Sequence, residues 1–207
     1  MPVDIYKCCF AWAMWRVARH YDRLLADRKH SLLARASGAV LEIGPGTGTN
    51  FQYFPRGIRW IGVEPNRFMH PYLRLAAERA GIEIDIRHRH AEELDLADRS
   101  VDTVIATAVL CSVEDPIKAL NEIRRVLKPG GQFVFIEHVA GERGTILRAI
   151  QILMQPFWTC IADGCHPARD IARAITRAGL RPLIFDSFRL PLGPLGPHIA
   201  GIAVPES

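Results

Sequence analysis

Short apolar runs alternate with longer amphipathic segments through the middle of the chain. The runs are rich in branched and aromatic residues, which is typical of strands in a parallel sheet. They predict five strands, at residues 39–43, 59–63, 82–88, 101–106 and 132–138. Helices are predicted to start between them, near Thr47, Asn66, Glu92 and Asp115. This alternation favours parallel strands joined by right-handed crossovers.

The C-terminal part of the chain continues the pattern. A helix is predicted for Pro167–Ala178, with Gly179 as its C-cap. Two further strands are predicted at Arg181–Ser187 and His198–Val204, separated by a connector rich in proline and glycine. The sequence therefore predicts a single α/β domain over residues 1–207.

The N-terminal residues 5–36 have the periodicity of one long helix. Its apolar positions recur at steps of three and four, at Phe10, Met14, Val17, Tyr21 and Leu24. Arginines occupy another face, next to Trp12 and Trp15. We predict that residues 1–36 form a helical lid over a ligand cleft. A basic face bordered by tryptophans also suits a membrane interface, and the two roles are compatible.

Residues 145–165 form the most apolar segment of the second half. Their polar positions make one narrow stripe, Arg148, Gln151 and Gln155, and most other positions are apolar. A helix of this kind is buried, lines an apolar pocket or contacts lipid. We predict a substrate wall first and a membrane contact second.

Charge and cysteine content exclude several classes of protein. The net charge of +4 lacks the strong basic footprint of a nucleic-acid-binding protein. Five cysteines without a CxxC spacing indicate reduced thiols and a cytoplasmic protein. Cys160, Cys165 and His166 offer only three neighbouring metal ligands, so no metal is predicted. No apolar stretch reaches the roughly 20 residues of a transmembrane helix, and Met1-Pro2-Val3-Asp4 does not begin a signal peptide.

The most specific motif, VLEIGPGTGTN at residues 40–50, begins in the first predicted strand. Its three glycines allow a tight turn in which the backbone passes close to a ligand. Glu42, just before the turn, suits a cationic ligand. Twenty residues after Gly44, the second strand ends in Glu64-Pro65-Asn66. An acid at this place can accept hydrogen bonds from both hydroxyls of a ribose.

The order and spacing of these segments over residues 38–140 resemble class I S-adenosylmethionine-dependent methyltransferases. The resemblance implies a Rossmann-like, mostly parallel seven-stranded sheet with an antiparallel last strand, and S-adenosylmethionine as cofactor. It places the cofactor on the glycine loop and the strand ends, at Glu42, Gly44, Gly46, Thr47, Gly48, Glu64, Pro65, Asn66, Ala91, Glu92, Thr107, Ala108 and Leu110. Many relatives have an aspartate where this chain has His90, so Glu92 is the expected adenine contact.

Three short motifs narrow the resemblance: residues 109–113, 137–139 and 163–165. With the apolar helix before the last of them, they look like the membrane-associated alkyl-thiol methyltransferases of the methyltransferase-like group. The resemblance implies a small, fairly apolar thiol as methyl acceptor. The animal members begin with a long hydrophobic anchor, and this chain instead has a helix with arginines. We therefore expect a cytoplasmic protein with room for a peripheral membrane contact through the N-terminal helix.

His138 and Asp163 are the candidate catalytic bases, since both are expected at the rim of the crevice. A structural role is an equal alternative for each, and His166 shares the loop of Asp163. A thiol is partly ionised near neutral pH and needs little help from a base.

Other methyl acceptors are also consistent with the sequence. Bacterial phospholipid N-methyltransferases, which act on phosphatidylethanolamine, share the EIGPGTG-type loop. A small-molecule O-methyltransferase is a third reading, and a non-catalytic S-adenosylmethionine-binding protein is the alternative outside enzymes. The chain lacks the Asn/Asp-Pro-Pro-aromatic segment of enzymes that methylate nucleic-acid bases.

Overall fold

The computed structural model describes residues 3–206, so the expectation for Met1-Pro2 lies outside the described residues. The strands are β1 Ala39–Ile43, β2 Arg59–Val63, β3 Ile84–Arg87, β4 Val101–Thr107, β5 Leu127–His138, β6 Leu180–Arg189 and β7 Pro197–Pro205. The helices are α1 Val3–Leu33, α2 His70–Ala80, α3 Pro116–Val126, α4 Ile146–Ile161 and α5 Ile171–Arg177. Short 3-10 turns occur at Phe51–Tyr53 and Gly193–Leu195.

The seven strands form one sheet in the order β3-β2-β1-β4-β5-β7-β6. All pairings from β3 to β5 are parallel, whereas β7 is antiparallel to both β5 and β6. The predicted seven-stranded sheet with an antiparallel last strand is confirmed. The strand order reverses between β1 and β4, and ligands of such sheets bind beyond the carboxyl ends of the strands at this place.

The sequence explains the elements that lie next to this crevice. β1 is buried along its whole length, as expected for a continuous apolar run covered on both faces. The carboxylate of Asp115 accepts hydrogen bonds from the backbone N–H groups of Ile117 and Lys118 and caps α3, while Pro116 occupies the first turn. One face of α3 is buried against the sheet, through Ala119, Leu120, Ile123 and Val126.

Two predicted helix starts are wrong in the described residues. Residues after Thr47 form turns and a single 3-10 turn, because Gly46 and Gly48 have positive φ angles of 56° and 81°, which are incompatible with a right-handed helix. Glu92 begins no helix either. Its carboxylate accepts hydrogen bonds from the backbone of Glu114 and Asp115, so this segment is fixed by another loop.

Two other helices are shorter than predicted. α2 begins at His70 rather than near Asn66, because the side-chain oxygen of Asn66 accepts the N–H of Phe68 in a turn. α5 begins at Ile171, where the carboxylate of Asp170 caps it by accepting the N–H of Arg173. α1 is close to its predicted length and ends at Leu33. Within residues 3–206, every helix is too short or too polar to cross a membrane.

Candidate active site

A cavity of about 610 Å³ opens at the carboxyl ends of β1, β2 and β4. This volume lies within the usual range for small-molecule sites. Most predicted cofactor residues line it: Glu42, Gly44, Gly46, Thr47, Glu64, Pro65, Ala91, Glu92, Thr107 and Ala108. Gly48, Asn66 and Leu110 are outside its lining. Phe10, Met14 and other residues of α1 form the wall opposite the sheet.

The glycine loop needs its glycines for two different reasons. Gly44 has φ +58°, and a Cβ there would lie 2.4 Å from Cγ2 of Val109. Gly48 has φ +81°, and its Cβ would lie 2.8 Å from Ala76 and from the Phe51 ring. Gly44 therefore keeps the cavity wall free of side chains, while Gly48 allows the loop to pack on α2.

Glu64 is the buried acid at the end of β2. Its Oε2 accepts the N–H of Gly46 at 3.0 Å, and its Oε1 accepts the N–H of Asn66 at 2.8 Å. Burial raises the pKa of this carboxyl to about 7, although both hydrogen bonds act in the opposite direction. Asn66 thus orients Glu64, and its amide also donates to the carbonyl oxygen of Lys7 in α1.

Glu42 is buried and both of its oxygens already have partners. Oε1 accepts from Nδ2 of Asn50 at 2.7 Å, and Oε2 accepts from Nε1 of Trp60 at 2.9 Å. Burial raises the pKa of the Glu42 carboxyl. Asn50 also lines the cavity, and its Oδ1 has no hydrogen-bond partner among the described residues. Asn50 was not among the residues predicted from the sequence, although a polar side chain at the end of a glycine loop was a visible signal.

A buried ion pair within α1 also contacts the glycine loop. Nζ of Lys29 donates to Asp22 at 2.7 Å and to Oγ1 of Thr49 at 3.1 Å. Asp22 also accepts from Gln52 and from the hydroxyl of Tyr53. Burial lowers the pKa of Lys29. This pair was not predicted from the sequence, because both residues occur in a polar stretch that is typical of an exposed helix face.

The turn after β4 forms the floor of the cavity. Ala108 has a positive φ of 53°, and its N–H donates to the carbonyl oxygen of Ile136. Oε1 of Glu137 accepts the N–H groups of Val109 and Leu110 at 3.0 and 3.2 Å. Burial raises the pKa of Glu137 to about 7. Leu110 is fully buried beneath the turn, so it supports the floor rather than lining the cavity.

Asp163 lines the cavity and links α1 to the loop after α4. Its carboxylate forms an ion pair with Lys7, and its N–H donates to the hydroxyl of Tyr6 at 2.8 Å. Asp163 has a positive φ of 49°, an uncommon conformation for a residue with a side chain. Its carboxylate is therefore held as a tether to α1, and its role as a base stays a prediction.

His138 is buried behind the cavity and is not part of its described lining. Its Nε2 lies 2.9 Å from Sγ of Cys165, and its Nδ1 has no partner among the described residues. A hydrogen bond with Cys111 and burial raise the pKa of the Cys165 thiol. His138 as a base stays a prediction.

Tyr21 brings a second histidine to the same end of the cavity. Nδ1 of His198 lies 2.7 Å from the carbonyl oxygen of Gly196, so Nδ1 carries the proton. Nε2 then accepts the hydroxyl proton of Tyr21 at 2.9 Å. Burial lowers the pKa of His198 to about 4, so this histidine is neutral near neutral pH. This pair was also missed, because its members are 177 residues apart.

The segment 145–165 contributes little to the described lining. The structure places Asp163 and Gly164 there, whereas the apolar residues of α4 lie outside it. Cys160, considered as a metal ligand, is exposed. Cys165 instead lies beside His138.

The residues of the cavity fit S-adenosylmethionine. The loop glycines offer bare backbone for a close approach, and Glu64 is a carboxylate acceptor suited to the ribose hydroxyls. Oδ1 of Asn50, next to Glu42, has no partner within residues 3–206 and suits the cationic amino-acid end of this cofactor. His90 lines the cavity beside Ala91 and Glu92, in the region expected for adenine.

Comparisons with known proteins agree with this assignment. Residues 41–135 match the family model described as "Methyltransferase domain". A putative methyltransferase of known structure from Bacillus halodurans superimposes with a TM-score of 0.72 at 15% identity, covering 87% of this chain and 98% of the other. The fold is thus that of the Rossmann-like methyltransferases, with S-adenosylmethionine as the cofactor.

Relatives of known name define the family more closely. Thiol S-methyltransferase TMT1B of Homo sapiens is 35% identical over 96% of this chain and 86% of its own length. Phosphatidylethanolamine N-methyltransferase of Cereibacter sphaeroides is 32% identical over 53% of this chain and 55% of its own length. The chain belongs to the thiol S-methyltransferase family of S-adenosylmethionine-dependent methyltransferases.

Proposed function

We propose that this enzyme transfers a methyl group from S-adenosylmethionine to the sulfur of a small, fairly apolar thiol. The observation that carries the proposal is the extent of the match to thiol S-methyltransferase TMT1B, which covers 96% of this chain. The match to the phosphatidylethanolamine enzyme covers 53%. A thiol acceptor is therefore favoured over the phospholipid and over an oxygen acceptor.

The cavity supports this acceptor class by its lining. Beyond the predicted cofactor residues, apolar side chains of α1 and of the β4 turn face it, including Phe10, Met14 and Val109. When bound, S-adenosylmethionine supplies an electrophilic methyl group on its sulfonium. The protein's contribution is then to orient donor and acceptor and to exclude water, for which α1 and the Val109 turn form opposite walls.

A thiol also matches the state of two carboxylates at the cavity, which are already engaged. Asp163 is paired with Lys7, and both oxygens of Glu42 are engaged. A thiol is partly ionised near neutral pH and can react without a strong base, whereas an alcohol cannot.

The test is methyl transfer from labelled S-adenosylmethionine to a panel of acceptors. The panel contains an alkyl thiol, an aromatic thiol, a dithiol, a catechol and phosphatidylethanolamine vesicles. Product on thiols, and none on the catechol or vesicles, is expected. Product on the vesicles alone would replace this proposal with the phospholipid enzyme. Glu64→Ala is the control, since any true product requires cofactor bound in the cavity.

We also propose that the protein is cytoplasmic and contacts membranes peripherally. α4 has an apolar stripe on its exposed side, at Ile146, Ile150, Leu153, Phe157 and Ile161. Leu153 and Phe157 are 78% and 79% exposed. Trp12 and Trp15 of α1 are also exposed, at 57% and 40%. Apolar side chains of this size are costly in water and favourable in a lipid interface.

Flotation with vesicles tests this contact. The double variant Leu153→Ser/Phe157→Ser and the double variant Trp12→Ala/Trp15→Ala are each expected to reduce the floated fraction. Leu75→Ser is the control, because Leu75 is an exposed apolar residue on α2. Equal flotation of all variants, or none by the unmodified chain, would refute the contact.

A further inference from the structure

Two thiols and an imidazole converge behind the floor of the cavity. Cys111 lies in the turn after β4, His138 ends β5, and Cys165 lies in the loop after α4. Their donor atoms all lie within 4.8 Å of one another, and none of the three residues is more than 8% exposed. Nε2 of His138 is 2.9 Å from Sγ of Cys165. The methyl-transfer roles assigned above use none of these thiols.

The backbones that carry the two cysteines are firmly joined. The N–H of His166 donates to the carbonyl oxygen of Cys111 at 2.8 Å. The Arg169 guanidinium donates to the carbonyl oxygens of Leu110, Cys111 and Val113. A Cβ on Gly164 would lie 3.1 Å from the carbonyl oxygen of Ser112. The two thiols are therefore held side by side by the fold, as a preformed ligand set requires.

The types of donor atom in this cluster determine which class of metal ion can bind. Two sulfurs and one imidazole nitrogen suit Zn²⁺ and similar thiophilic divalent cations, whereas Mg²⁺ and Ca²⁺ prefer oxygen. Bond lengths of about 2.3 Å to sulfur and 2.0 Å to nitrogen place tetrahedral donors about 3.5 to 3.8 Å apart, a spacing that small side-chain shifts would reach here. The indole N–H of Trp158 donates to Sγ of Cys165 at 3.3 Å, a contact that stabilises a thiolate ligand.

Charge balance also favours a cation at this buried place. Binding converts the two thiols to thiolates and releases two protons, and the two negative charges neutralise the dication. A neutral complex avoids the desolvation cost of an isolated buried charge. We propose that Cys111, His138 and Cys165 form a site for one thiophilic divalent cation such as Zn²⁺. This gives His138 a ligand role in place of the base role considered above.

Three protein ligands leave one position of a tetrahedral cation for an exogenous ligand. Ser112 and Gly164, the chain neighbours of Cys111 and Cys165, line the cavity. A thiol acceptor that reached the cation would release its proton to solvent and bind as its thiolate, which is the reactive form. This last step rests on the proposed function, whereas the cation site itself does not.

Cobalt titration of the full chain tests the site. The protein is reduced with a phosphine, desalted without oxygen and titrated with Co²⁺, whose thiolate complexes absorb strongly in the near ultraviolet. One equivalent is expected to give this absorption, which Cys111→Ser and Cys165→Ser lose. Cys160→Ser is the control, because Cys160 is an exposed thiol outside the cluster. Addition of 2-mercaptoethanol is expected to shift the cobalt bands.

The outcomes separate the alternatives. No thiolate absorption from the folded, reduced, unmodified chain would overturn the site. If the serine variants do not fold, X-ray absorption of the zinc-loaded unmodified chain decides, with two sulfur ligands expected. Cobalt bands that do not shift when 2-mercaptoethanol is added would overturn only the proposal that the acceptor thiol binds the cation. Cobalt binding without thiol methylation would refute the proposed function and keep the site.

Discussion

Two walls of the cavity are held together in different ways. In the wall formed by the glycine loop and the end of β2, partners are close in the chain: Glu64 accepts hydrogen bonds from the backbone of Asn66 and Gly46, which are 2 and 18 residues away. In the wall formed by α1, Lys7 pairs with Asp163 across 156 residues, and Tyr21 with His198 across 177. The loop wall is thus a local motif, whereas the α1 wall exists only after the whole chain has folded.

The two walls are therefore expected to have different roles. The glycine loop offers bare backbone to the cofactor, and this arrangement can serve any methyl acceptor. The second wall combines α1 with the ends of β5 and β7 and the loop after α4, and these are the segments that can differ between enzymes with the same cofactor. Specificity for the acceptor is therefore expected there.

The largest effect is expected where α1 meets the glycine loop. Lys29→Met leaves Asp22 buried without its cation and should lower the free energy of unfolding by about 3–5 kcal/mol. Lys118→Met is the matched control, because it removes the same side chain from the exposed pair with Glu93 and should change little. Urea denaturation of both variants measures the difference. Equal, small changes would show that α1 does not depend on this pair.

The glycine loop offers the next test. Gly44→Ala adds the cost of a positive φ, about 1–3 kcal/mol, and a clash with Val109. Gly57→Ala carries a φ of +83° but its Cβ meets nothing within 4 Å, so it isolates the cost of conformation. Calorimetry with S-adenosylhomocysteine should show strongly reduced binding for Gly44→Ala and normal binding for Gly57→Ala. Normal binding by both would place the cofactor away from this loop.

Glu64→Ala should weaken S-adenosylhomocysteine binding by about 1–3 kcal/mol, because the ribose hydroxyls lose their acceptor. Glu122→Ala is the control, since Glu122 also accepts a backbone N–H, from Leu94, but lies outside the cavity lining. Equilibrium dialysis measures both affinities. An unchanged affinity for Glu64→Ala would show that the ribose binds elsewhere.

The affinity for S-adenosylhomocysteine should also depend on pH, through Glu64. Burial raises the pKa of Glu64 to about 7 in the free protein, and the ionised form is the better acceptor. Binding therefore releases a proton below pH 7, so affinity should rise about tenfold per pH unit up to 7 and level off above it. Glu64→Gln should remove this component. A profile shared by Glu64→Gln and the unmodified enzyme would assign the dependence to another group.

The smallest effect is expected at the tether between α1 and Asp163. Lys7→Gln and Asp163→Asn should each change the free energy of unfolding by less than about 1 kcal/mol, because the pair is partly exposed. Hydrogen exchange of residues 3–12 should nevertheless become faster in both, and no faster in the double variant than in either single one. Unchanged exchange would show that the tether does not hold α1.

The glycine loop and Glu64 could be predicted from the sequence. The residues in contact there are close together in the chain, and the loop has a recognisable glycine motif. The order of strands and helices could be read from apolar runs, and Asp115-Pro116 marked the start of α3 correctly. The false helix starts at Thr47 and Glu92 have different causes. At Thr47, local helix propensity was outweighed by the positive φ angles of Gly46 and Gly48. At Glu92, it was outweighed by the hydrogen bonds that the carboxylate accepts from the backbone of Glu114 and Asp115.

The amino-acid sequence by itself determined the sheet, the glycine loop and the acid at Glu64, because each depends on residues near one another in the chain. Only the tertiary structure decided that Lys29 is buried, that Asp163 holds α1, and that Cys111, His138 and Cys165 meet. These features join segments from 7 to 156 residues apart, and in most of them the partners lie on different elements. Periodicity describes one element at a time, so it carries no information about which side chains meet across elements.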